Sequence, residues 1–401
     1  MASSDASLLH PRSSLSKKPT LALLEAERTS LITEAASLPY ETPFFYTSRE
    51  VLKKNYETFT DLFDNAEVLY ALKANSDPKI LQYLDQLGCG FEAASGFEVT
   101  ELLQVGVRPE HIVYGTSIKP LEHIRRSFRA GVTRFAADSR EELDKIASVA
   151  PGARVYIRTI VDDSGSVFMM SERFGAPVNT VKDLLLYARQ LGLKLYGISF
   201  YVGSQAGYAD KWAKGIHTIR PVIEELYEEG VQLEVINIGG GFPVPYRNHK
   251  HAPVLHDIVV DIHNAIHQLP YMPKLILEPG RGIVATSTVL VAEVIARNDR
   301  ANKPWLCLDA GVYNALYEAM IHQGATQFPV HPVLPPTAED VPMICTMAGP
   351  TGDSLDIIAR DVVLPDYVTV GDRLIFENAG AYSITIASPF NGFPKPELYI
   401  S

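Results

Sequence analysis

Cysteine is scarce in this 401-residue chain, which contains only Cys89, Cys307 and Cys345. Three thiols so far apart in sequence argue against a disulfide framework and a zinc site, so we expect no metal and a reducing compartment. Long apolar runs are also missing, since no stretch reaches the roughly eighteen apolar residues of a membrane helix. The N-terminus lacks the basic start and apolar centre of a signal peptide, so the sequence predicts a cytoplasmic protein with no membrane partner.

Basic clusters are absent as well. The chain has 36 Lys and Arg against 47 Asp and Glu, a formal net charge of −11. An acidic chain of this kind is a poor match for nucleic acid, so we expect no nucleic-acid partner, and any phosphate must be held by local groups. With 46% hydrophobic and 21% charged residues, the composition is typical of a globular enzyme rather than a disordered chain.

Strand-like and helix-like patterns alternate through the first two thirds of the chain. The strands are of the continuous apolar kind found in parallel sheets, and about eight βα units in a row predict a closed (β/α)8 TIM barrel. A polar tail and a helix from Thr20 to Leu38 come before them. The strand-like runs lie at 44–48, 68–72, 90–94, 111–115, 134–138, 154–159, 196–202, 235–241 and 274–281.

Beyond Gly282 the helical period disappears. Short β-prone runs separated by Pro, Gly and Asp predict a mostly antiparallel β domain. The predicted division is therefore an N-terminal tail and helix at 1–41 that joins the β domain, a barrel at 42–284, and the C-terminal β domain at 285–401.

A single lysine follows the apolar run V-L-Y-A-L, where the strand should end. Because burial penalises a charged amine, Lys73 is expected to shed its proton and to act as a nucleophile toward an aldehyde such as that of pyridoxal 5′-phosphate. The ordinary alternative is a strand-end lysine whose amine reaches solvent.

Two further motifs follow predicted barrel strands. N-I-G-G-G-F-P places Gly239, Gly240 and Gly241 after a strand, where backbone N–H groups can approach an anion. L-E-P-G-R places Glu278 and Arg281 after the eighth strand, a position at which barrel enzymes often hold phosphate. A carboxylate there could neutralise a protonated pyridine nitrogen, or it could simply form an ion pair with the arginine.

The late motifs G-P-T-G-D-S-L-D at 349–356 and E-N-A-G-A-Y at 377–382 are, by composition alone, hairpin turns. To act at the barrel they must fold back onto it or reach it from a second subunit.

Taken together, these motifs resemble the fold-type III, or alanine-racemase-like, pyridoxal-phosphate enzymes, and among them the ornithine, diaminopimelate and arginine decarboxylases. The resemblance spans about residues 40 to 395. It implies a cofactor-binding barrel and a head-to-tail homodimer in which each subunit lends G-P-T-x-D-S-x-D to its partner's site. The implied contacts are Lys73 as the covalent attachment, Glu92 and Ala94 near the ring, Arg158 beneath it, Glu278 at the pyridine nitrogen, and Ser204, Gly239, Gly240, Gly241, Gly280, Arg281 and Tyr382 around the phosphate.

The resemblance also bears on the substrate. Diaminopimelate decarboxylases have a glutamate where this chain has Asp353, whereas an aspartate there resembles the ornithine/lysine branch, in which an acid meets the substrate's distal ammonium. Y-N-A-L-Y-E resembles a segment that brings Glu318 near the same pocket. Two acids facing one ammonium in a dry site would select basic amino acids over neutral ones.

Two positions depart from the family. Tyr201 stands where the family has a ring-stacking histidine; a tyrosine can stack but has no imidazole proton chemistry. Gly352 stands where the family has a cysteine that returns a proton to Cα after carbon dioxide leaves. The proton could instead come from water or Tyr201, or it could add at the cofactor's C4′, which would give a carbonyl product and pyridoxamine phosphate.

The sequence therefore predicts a decarboxylase of ornithine, lysine or a close analogue, with amine as product or with an altered reaction fate. One alternative is a decarboxylation-dependent transaminase, and another is a non-catalytic relative that binds a regulatory partner. A racemase is disfavoured because Glu278 suits a full electron sink.

Overall fold

The computed structural model describes residues 21–249, 252–300, 303–321, 324 and 326–401. The predicted tail at 1–19 lies outside them. The helices are α1 (Glu25–Ser37), α2 (Arg49–Leu62), α3 (Pro78–Gln86), α4 (Gly96–Gln104), α5 (Leu121–Arg129), α6 (Arg140–Val149), α7 (Val178–Gln190), α8 (Lys211–Glu228), α9 (Leu255–Ile266) and α10 (Arg281–Val284).

The strands are β1 (Phe44–Thr47), β2 (Ala66–Ala71), β3 (Gly90–Ala93), β4 (Ile112–Tyr114), β5 (Arg134–Ala137), β6 (Arg154–Arg158), β7 (Ser166–Phe168), β8 (Lys194–Ser199), β9 (Ser204–Ala206), β10 (Val235–Asn237), β11 (Lys274–Leu277), β12 (Thr288–Arg300), β13 (Lys303–Leu308), β14 (Val330–Pro332), β15 (Pro342–Ala348), β16 (Ile357–Pro365), β17 (Arg373–Phe376) and β18 (Glu397–Ile400).

Eight parallel strands close into a barrel in the order β2, β3, β4, β5, β6, β8, β10, β11. The predicted (β/α)8 barrel is confirmed. Alternate residues of each strand point inward, where Leu69, Val113, Tyr156 and Ile276 belong to one buried cluster, while the opposite faces pack against the surrounding helices. Because the interior is filled by side chains, a ligand can be bound only where the strands end.

The barrel helices begin at residues whose side chains cap them. Ser48, Asp77, Ser95 and Ser139 each accept a hydrogen bond from a backbone N–H in the first turn of the helix that follows. Such a cap is worth about 1 kcal/mol and satisfies a donor that the helix leaves free. The caps therefore fix the point at which each loop above the barrel turns into a helix.

The second unit is an eight-stranded, mostly antiparallel sheet in the order β14, β17, β12, β13, β15, β16, with β1 joined between β12 and β18. The predicted β domain is confirmed. Leu31 and Ala35 of α1 pack against Phe44, Val289 and Ile375 of this sheet. The N-terminal helix is shorter than the predicted Thr20–Leu38, and it packs against the sheet of the β domain, the unit that it was predicted to join.

One strand was assigned to the wrong unit. The sequence pattern placed residues 44–48 in the barrel, but β1 pairs antiparallel with β12 and parallel with β18. All residues of β1 are buried. A strand buried on both faces has the same apolar pattern in either sheet, so local sequence could not distinguish them.

Among the described residues, no helix is both long and apolar enough to cross a membrane.

Candidate active site

A cavity of about 460 Å³ opens where the barrel strands end. Most of its wall comes from the barrel, and a smaller part comes from the C-terminal domain. Of the residues proposed for the site, the structure brings the following to its wall: Lys73, Glu92, Ala94, Arg158, Tyr201, Ser204, Gly240, Gly241, Glu278, Gly280, Arg281, Glu318 and Tyr382.

Lys73 lies in a short 3₁₀ turn, Leu72–Ala74, directly after β2. Its side chain is 48% exposed, and its Nζ lies 3.6 Å from Oε2 of Glu92. The Glu92 carboxylate raises the pKa of the Lys73 amine, and this effect outweighs burial. The expectation that Lys73 sheds its proton is therefore wrong for the cofactor-free chain, because the amine has a carboxylate neighbour that the strand pattern did not reveal.

Glu92 itself is nearly inaccessible, with 4% of its side chain exposed. Its Oε2 is buried without a hydrogen-bond partner. Gly115 on the neighbouring strand end makes room for this carboxylate, since a Cβ there would lie 2.5 Å from Glu92 Oε1. Glu92 lines the cavity beside Lys73, and this buried oxygen accepts no hydrogen bond. It therefore suits a ligand that carries a polar or cationic group.

Glu278 follows β11 and accepts a hydrogen bond of 2.6 Å from Asn237 Nδ2. The Asn237 Oδ1 in turn accepts from the backbone N–H of Gly239 at 2.9 Å. Burial, with Glu92 nearby, raises the pKa of Glu278 to about 7. A carboxyl group in this state is ready to give up its proton when a cation such as a pyridinium arrives.

The glycine turn after β10 requires glycine at each of its three positions. Gly239 and Gly241 have φ of 67° and 92°, in the left-handed region. A Cβ on Gly240 would lie 2.4 Å from the carbonyl oxygen of Glu278. Gly240 and Gly241 also line the cavity, so the turn presents bare backbone to a ligand.

Arg281 is buried and makes a two-pronged ion pair with Glu318, with both N–O distances at 2.7 Å. It also donates to the Tyr246 hydroxyl at 3.0 Å. The simple Glu278–Arg281 ion pair considered from the sequence is replaced by these contacts. Glu318, which was predicted to face the substrate, is therefore held by Arg281 in the cofactor-free chain.

Tyr382 reaches the cavity of its own chain from the C-terminal domain. Its backbone has φ of 54°, and its N–H donates to the Ala74 carbonyl at 2.8 Å, one residue from Lys73. Burial raises the pKa of its phenol to about 12, so the group remains a hydrogen-bond donor at neutral pH. The segment 377–382 thus folds back onto the barrel within one chain.

Gly352 and Asp353 do not line the cavity of their own chain. Gly352 is exposed, and a Cβ there would meet no atom within 4 Å. The loop around them is nevertheless ordered by Asp356, whose carboxylate accepts hydrogen bonds from Thr351 N–H and Oγ1 and from Val312 N–H. A shaped loop that does not line its own chain's cavity is available for contact with a neighbouring molecule.

Arg158 and Tyr201 lie together on the cavity wall, with the Arg158 guanidinium carbon 5.9 Å from the Tyr201 ring centroid. Ser204 begins β9, which pairs with β7. The stretch 162–175 had been treated as irregular, so this small two-stranded sheet was missed.

Sequence reasoning also missed several residues that line the cavity or support its groups. Tyr246 binds Arg281, and Asn237 supports Glu278; the asparagine directly precedes the glycine turn and could have been noticed there. The remaining ones gave no motif signal, because they lie in loops or on barrel strands: Gly115, Thr116, Tyr156, Phe168, Met170, Phe174 and Ile386.

These residues fit pyridoxal phosphate. The glycine turn and Arg281 suit the phosphate, and Glu278 suits the ring nitrogen. The Lys73 amine suits the aldehyde, with which it can form a bond, and it lies beside the Glu92 oxygen that has no hydrogen-bond partner. In the described part of the chain, no group of three or more His, Cys, Asp or Glu side chains is arranged to hold a metal ion.

Comparison with known proteins agrees with this geometry. The family model for the pyridoxal-binding domain of pyridoxal-dependent decarboxylases matches residues 49–285. The chain is 32% identical over 352 residues to the lysine/ornithine decarboxylase of Selenomonas ruminantium, covering 88% of each protein. It is 30% identical over 387 residues to antizyme inhibitor 2 of Xenopus laevis, covering 92% of this chain and 83% of that protein.

Among solved structures, the chain is similar to lysine/ornithine decarboxylase from Vibrio vulnificus, crystallised as a complex with putrescine. The TM-score is 0.83 at 28% identity, and the alignment covers 94% of this chain and 99% of that one.

The pKa of Glu278 leads to a test in the cofactor-free protein. Because the folded chain raises this pKa from about 4.5 to about 7, the folded state binds the proton more tightly than the unfolded state. Glu278 therefore lowers the free energy of unfolding as pH rises through that interval. In urea unfolding at about pH 5 and about pH 8, Glu278→Gln should lose less stability between the two pH values than wild type does.

The exposed Glu228→Gln on α8 is the matched control and should behave as wild type. An equal loss of stability in wild type and Glu278→Gln would show that Glu278 is not protonated near neutral pH in the folded chain.

Proposed function

Because this chain belongs to the pyridoxal-dependent decarboxylases, a family of carboxy-lyases that use pyridoxal 5′-phosphate, we propose that it decarboxylates ornithine, lysine or a close analogue. The observation that carries the proposal is the placement of Lys73, Glu278 and Arg281 around one cavity. The relatives named as lysine/ornithine decarboxylases support a substrate with a distal ammonium.

Pyridoxal phosphate, when bound, supplies an aldehyde for the substrate's amino group and an electron sink for the bond that carbon dioxide leaves. The chain's own residues do the rest. Glu278 would pair with a positively charged ring nitrogen, and the glycine turn with Arg281 and Tyr382 would hold the phosphate; Tyr201 also lines the cavity. Contacts of this kind would fix the orientation of the substrate's carboxylate.

Lys73 must lose a proton before its amine can form a bond. Glu92 Oε2 lies 3.6 Å from its Nζ and has no hydrogen-bond partner, so it is placed to receive that proton. Glu92, the carboxylate that favours the charged form of Lys73, would thus accept the proton of Lys73 when the cofactor binds.

The distal ammonium of the substrate would be met by Asp353 from a second subunit. This carboxylate lies on the loop held by Asp356, which does not line its own chain's cavity. Leu355 on the same loop is 63% exposed, and Phe390, which packs against Tyr313, is 38% exposed. Exposed apolar side chains beside a shaped polar loop are typical of a surface that a partner covers. We therefore propose a homodimer with two shared sites.

Subunit mixing tests the shared site. Lys73→Ala and Asp353→Ala should each be inactive as pure dimers. After exchange in equal amounts, half of the dimers are mixed and each contains one intact site of two, so about a quarter of full activity should return. Mixing two preparations of Lys73→Ala is the control. No recovery after confirmed subunit exchange would place Asp353 outside the partner's site.

We propose that the glycine at position 352 alters the fate of the carbon that loses carbon dioxide, because it has no side chain to return a proton. Decarboxylation needs the electron sink and an oriented carboxylate, neither of which depends on residue 352. Return of a proton to Cα does depend on a placed acid, which typically accelerates such a step by about 10² to 10⁴. We propose that the chain makes amine slowly or diverts part of its substrate to a carbonyl product, as a decarboxylation-dependent transaminase would.

Product analysis tests both the reaction and this departure. Incubated with L-ornithine and L-lysine, the protein should release carbon dioxide, and mass spectrometry should detect amine together with a carbonyl product. Gly352→Cys should shift the products toward amine, because a thiol can donate the proton, whereas Gly352→Ala, which adds no acid, should not. Open space around residue 352 allows both substitutions within one subunit.

If wild type yields only amine and Gly352→Cys changes neither rate nor products, another acid already does this work. If the cofactor-loaded protein releases no carbon dioxide from any basic amino acid, the decarboxylase proposal fails.

A regulatory role is the alternative, and the similarity to antizyme inhibitor 2 is the observation that favours it. The retention of Lys73, Glu278, Arg281 and Tyr382 around a formed cavity favours catalysis instead, because a chain that only binds a partner has no need of them.

A further inference from the structure

We infer that Glu318 is a built-in anion that occupies Arg281 in the cofactor-free chain, gives way to the cofactor's phosphate, and then becomes available to the substrate's ammonium group. This inference rests on the proposed function, since that function assigns phosphate to Arg281. It adds an order of events: the ammonium site is completed only after the phosphate site is filled.

The geometry shows a fully engaged carboxylate. Both oxygens of Glu318 bind separate nitrogens of Arg281 at 2.7 Å, and the side chains are 4% and 5% exposed. A parallel two-pronged contact of this kind is the arrangement in which arginine holds carboxylate or phosphate most strongly. Glu318 thus occupies two of the donors that a phosphate would need.

Arg281 still has an unused donor. Its Nε is buried and has no hydrogen-bond partner. Leaving a buried donor of a charged group unpaired is costly, and the guanidinium lies on the cavity wall. The arginine is therefore arranged for more acceptor oxygens than Glu318 and Tyr246 supply, which points to an incoming anion.

Two anions cannot share this arginine at low cost. A phosphate that reached Arg281 would lie next to the Glu318 carboxylate in a buried site, where like charges repel far more than in water. The cavity's other cations are already engaged, since Lys73 faces Glu92 and Arg158 lies by the Tyr201 ring. The free Nε gives the phosphate a first contact with Arg281, and repulsion between the two anions then favours release of Glu318.

The displaced carboxylate stays within reach of the cavity. Glu318 belongs to the short 3₁₀ turn Tyr317–Ala319, and both Glu318 and Ile321 line the wall on the C-terminal domain side. Burying a free carboxylate is expensive unless a cation pairs with it. The distal ammonium of a basic amino acid supplies that cation. Cofactor binding therefore increases the affinity of this position for a basic amino acid.

Binding to cofactor-free protein tests the competition. Isothermal calorimetry with inorganic phosphate, and absorbance titration with pyridoxal phosphate, should give about tenfold lower Kd values for Glu318→Gln than for wild type, because the competing charge is gone. The exposed Glu228→Gln on α8 is the matched control: it removes the same charge at a residue that does not line the cavity, so neither Kd should fall. Unchanged or weaker binding of both anions by Glu318→Gln would overturn the inference and make Glu318 a residue that positions Arg281.

A second measurement needs no substitution. If phosphate frees Glu318, then inorganic phosphate and a linear diamine such as putrescine must strengthen each other's binding to the cofactor-free wild type. Saturating phosphate should lower the Kd of putrescine at least about fivefold. A putrescine Kd that phosphate does not lower would overturn the inference, even if Glu318→Gln fails to fold.

The two proposals fail differently. A protein that binds no pyridoxal phosphate in any form would overturn the proposed function together with this inference. This inference alone would be overturned by a protein that binds cofactor and decarboxylates but fails both binding tests. In that case Glu318→Gln would bind phosphate and pyridoxal phosphate with the Kd values of wild type, and phosphate would leave the Kd of putrescine unchanged.

Discussion

Three buried or half-buried carboxylates face one cavity, and the need to balance each of them organises the site. Glu92 has Lys73, Glu318 has Arg281, and Glu278 has a neutral donor from Asn237 together with a raised pKa. Charges removed from water must be paired or neutralised. The cofactor-free chain satisfies this requirement internally, and each pairing uses a group that the cofactor would otherwise engage. Under the proposed function, cofactor binding would therefore exchange these partners for groups of the cofactor.

The scaffold fixes the backbone around these side chains. The packed barrel interior supports the strand ends, and the glycine turn tolerates no side chain at Gly240. The hydrogen bond from Tyr382 to Ala74 joins the C-terminal domain to the turn that bears Lys73. The loop held by Asp356 does not line the cavity of its own chain. In the proposed dimer, Asp353 on this loop would reach the site of the neighbouring subunit.

Sequence periodicity was enough to predict the barrel and the β domain, because strands buried on both faces and turn residues leave strong local signals. It misassigned β1, whose burial pattern is the same in either sheet. The motifs located Lys73, Glu278 and Arg281, but they could not supply their partners. The pKa of Lys73 depends on Glu92, and the state of Arg281 depends on Glu318, residues separated in sequence and joined only by folding. Tyr246 was missed for the same reason.

We propose that access to the cavity, rather than a low pKa, makes Lys73 the lysine that carries the cofactor. Lys119 provides the contrast: it is fully buried against Glu142, it donates to the carbonyls of Thr116 and Ala136, and burial lowers its pKa to about 8. The decisive measurement is borohydride reduction of the protein with pyridoxal phosphate, followed by peptide mass spectrometry. The account predicts a pyridoxyl group on the Lys73 peptide; labelling of the Lys119 peptide, or of neither, would contradict it.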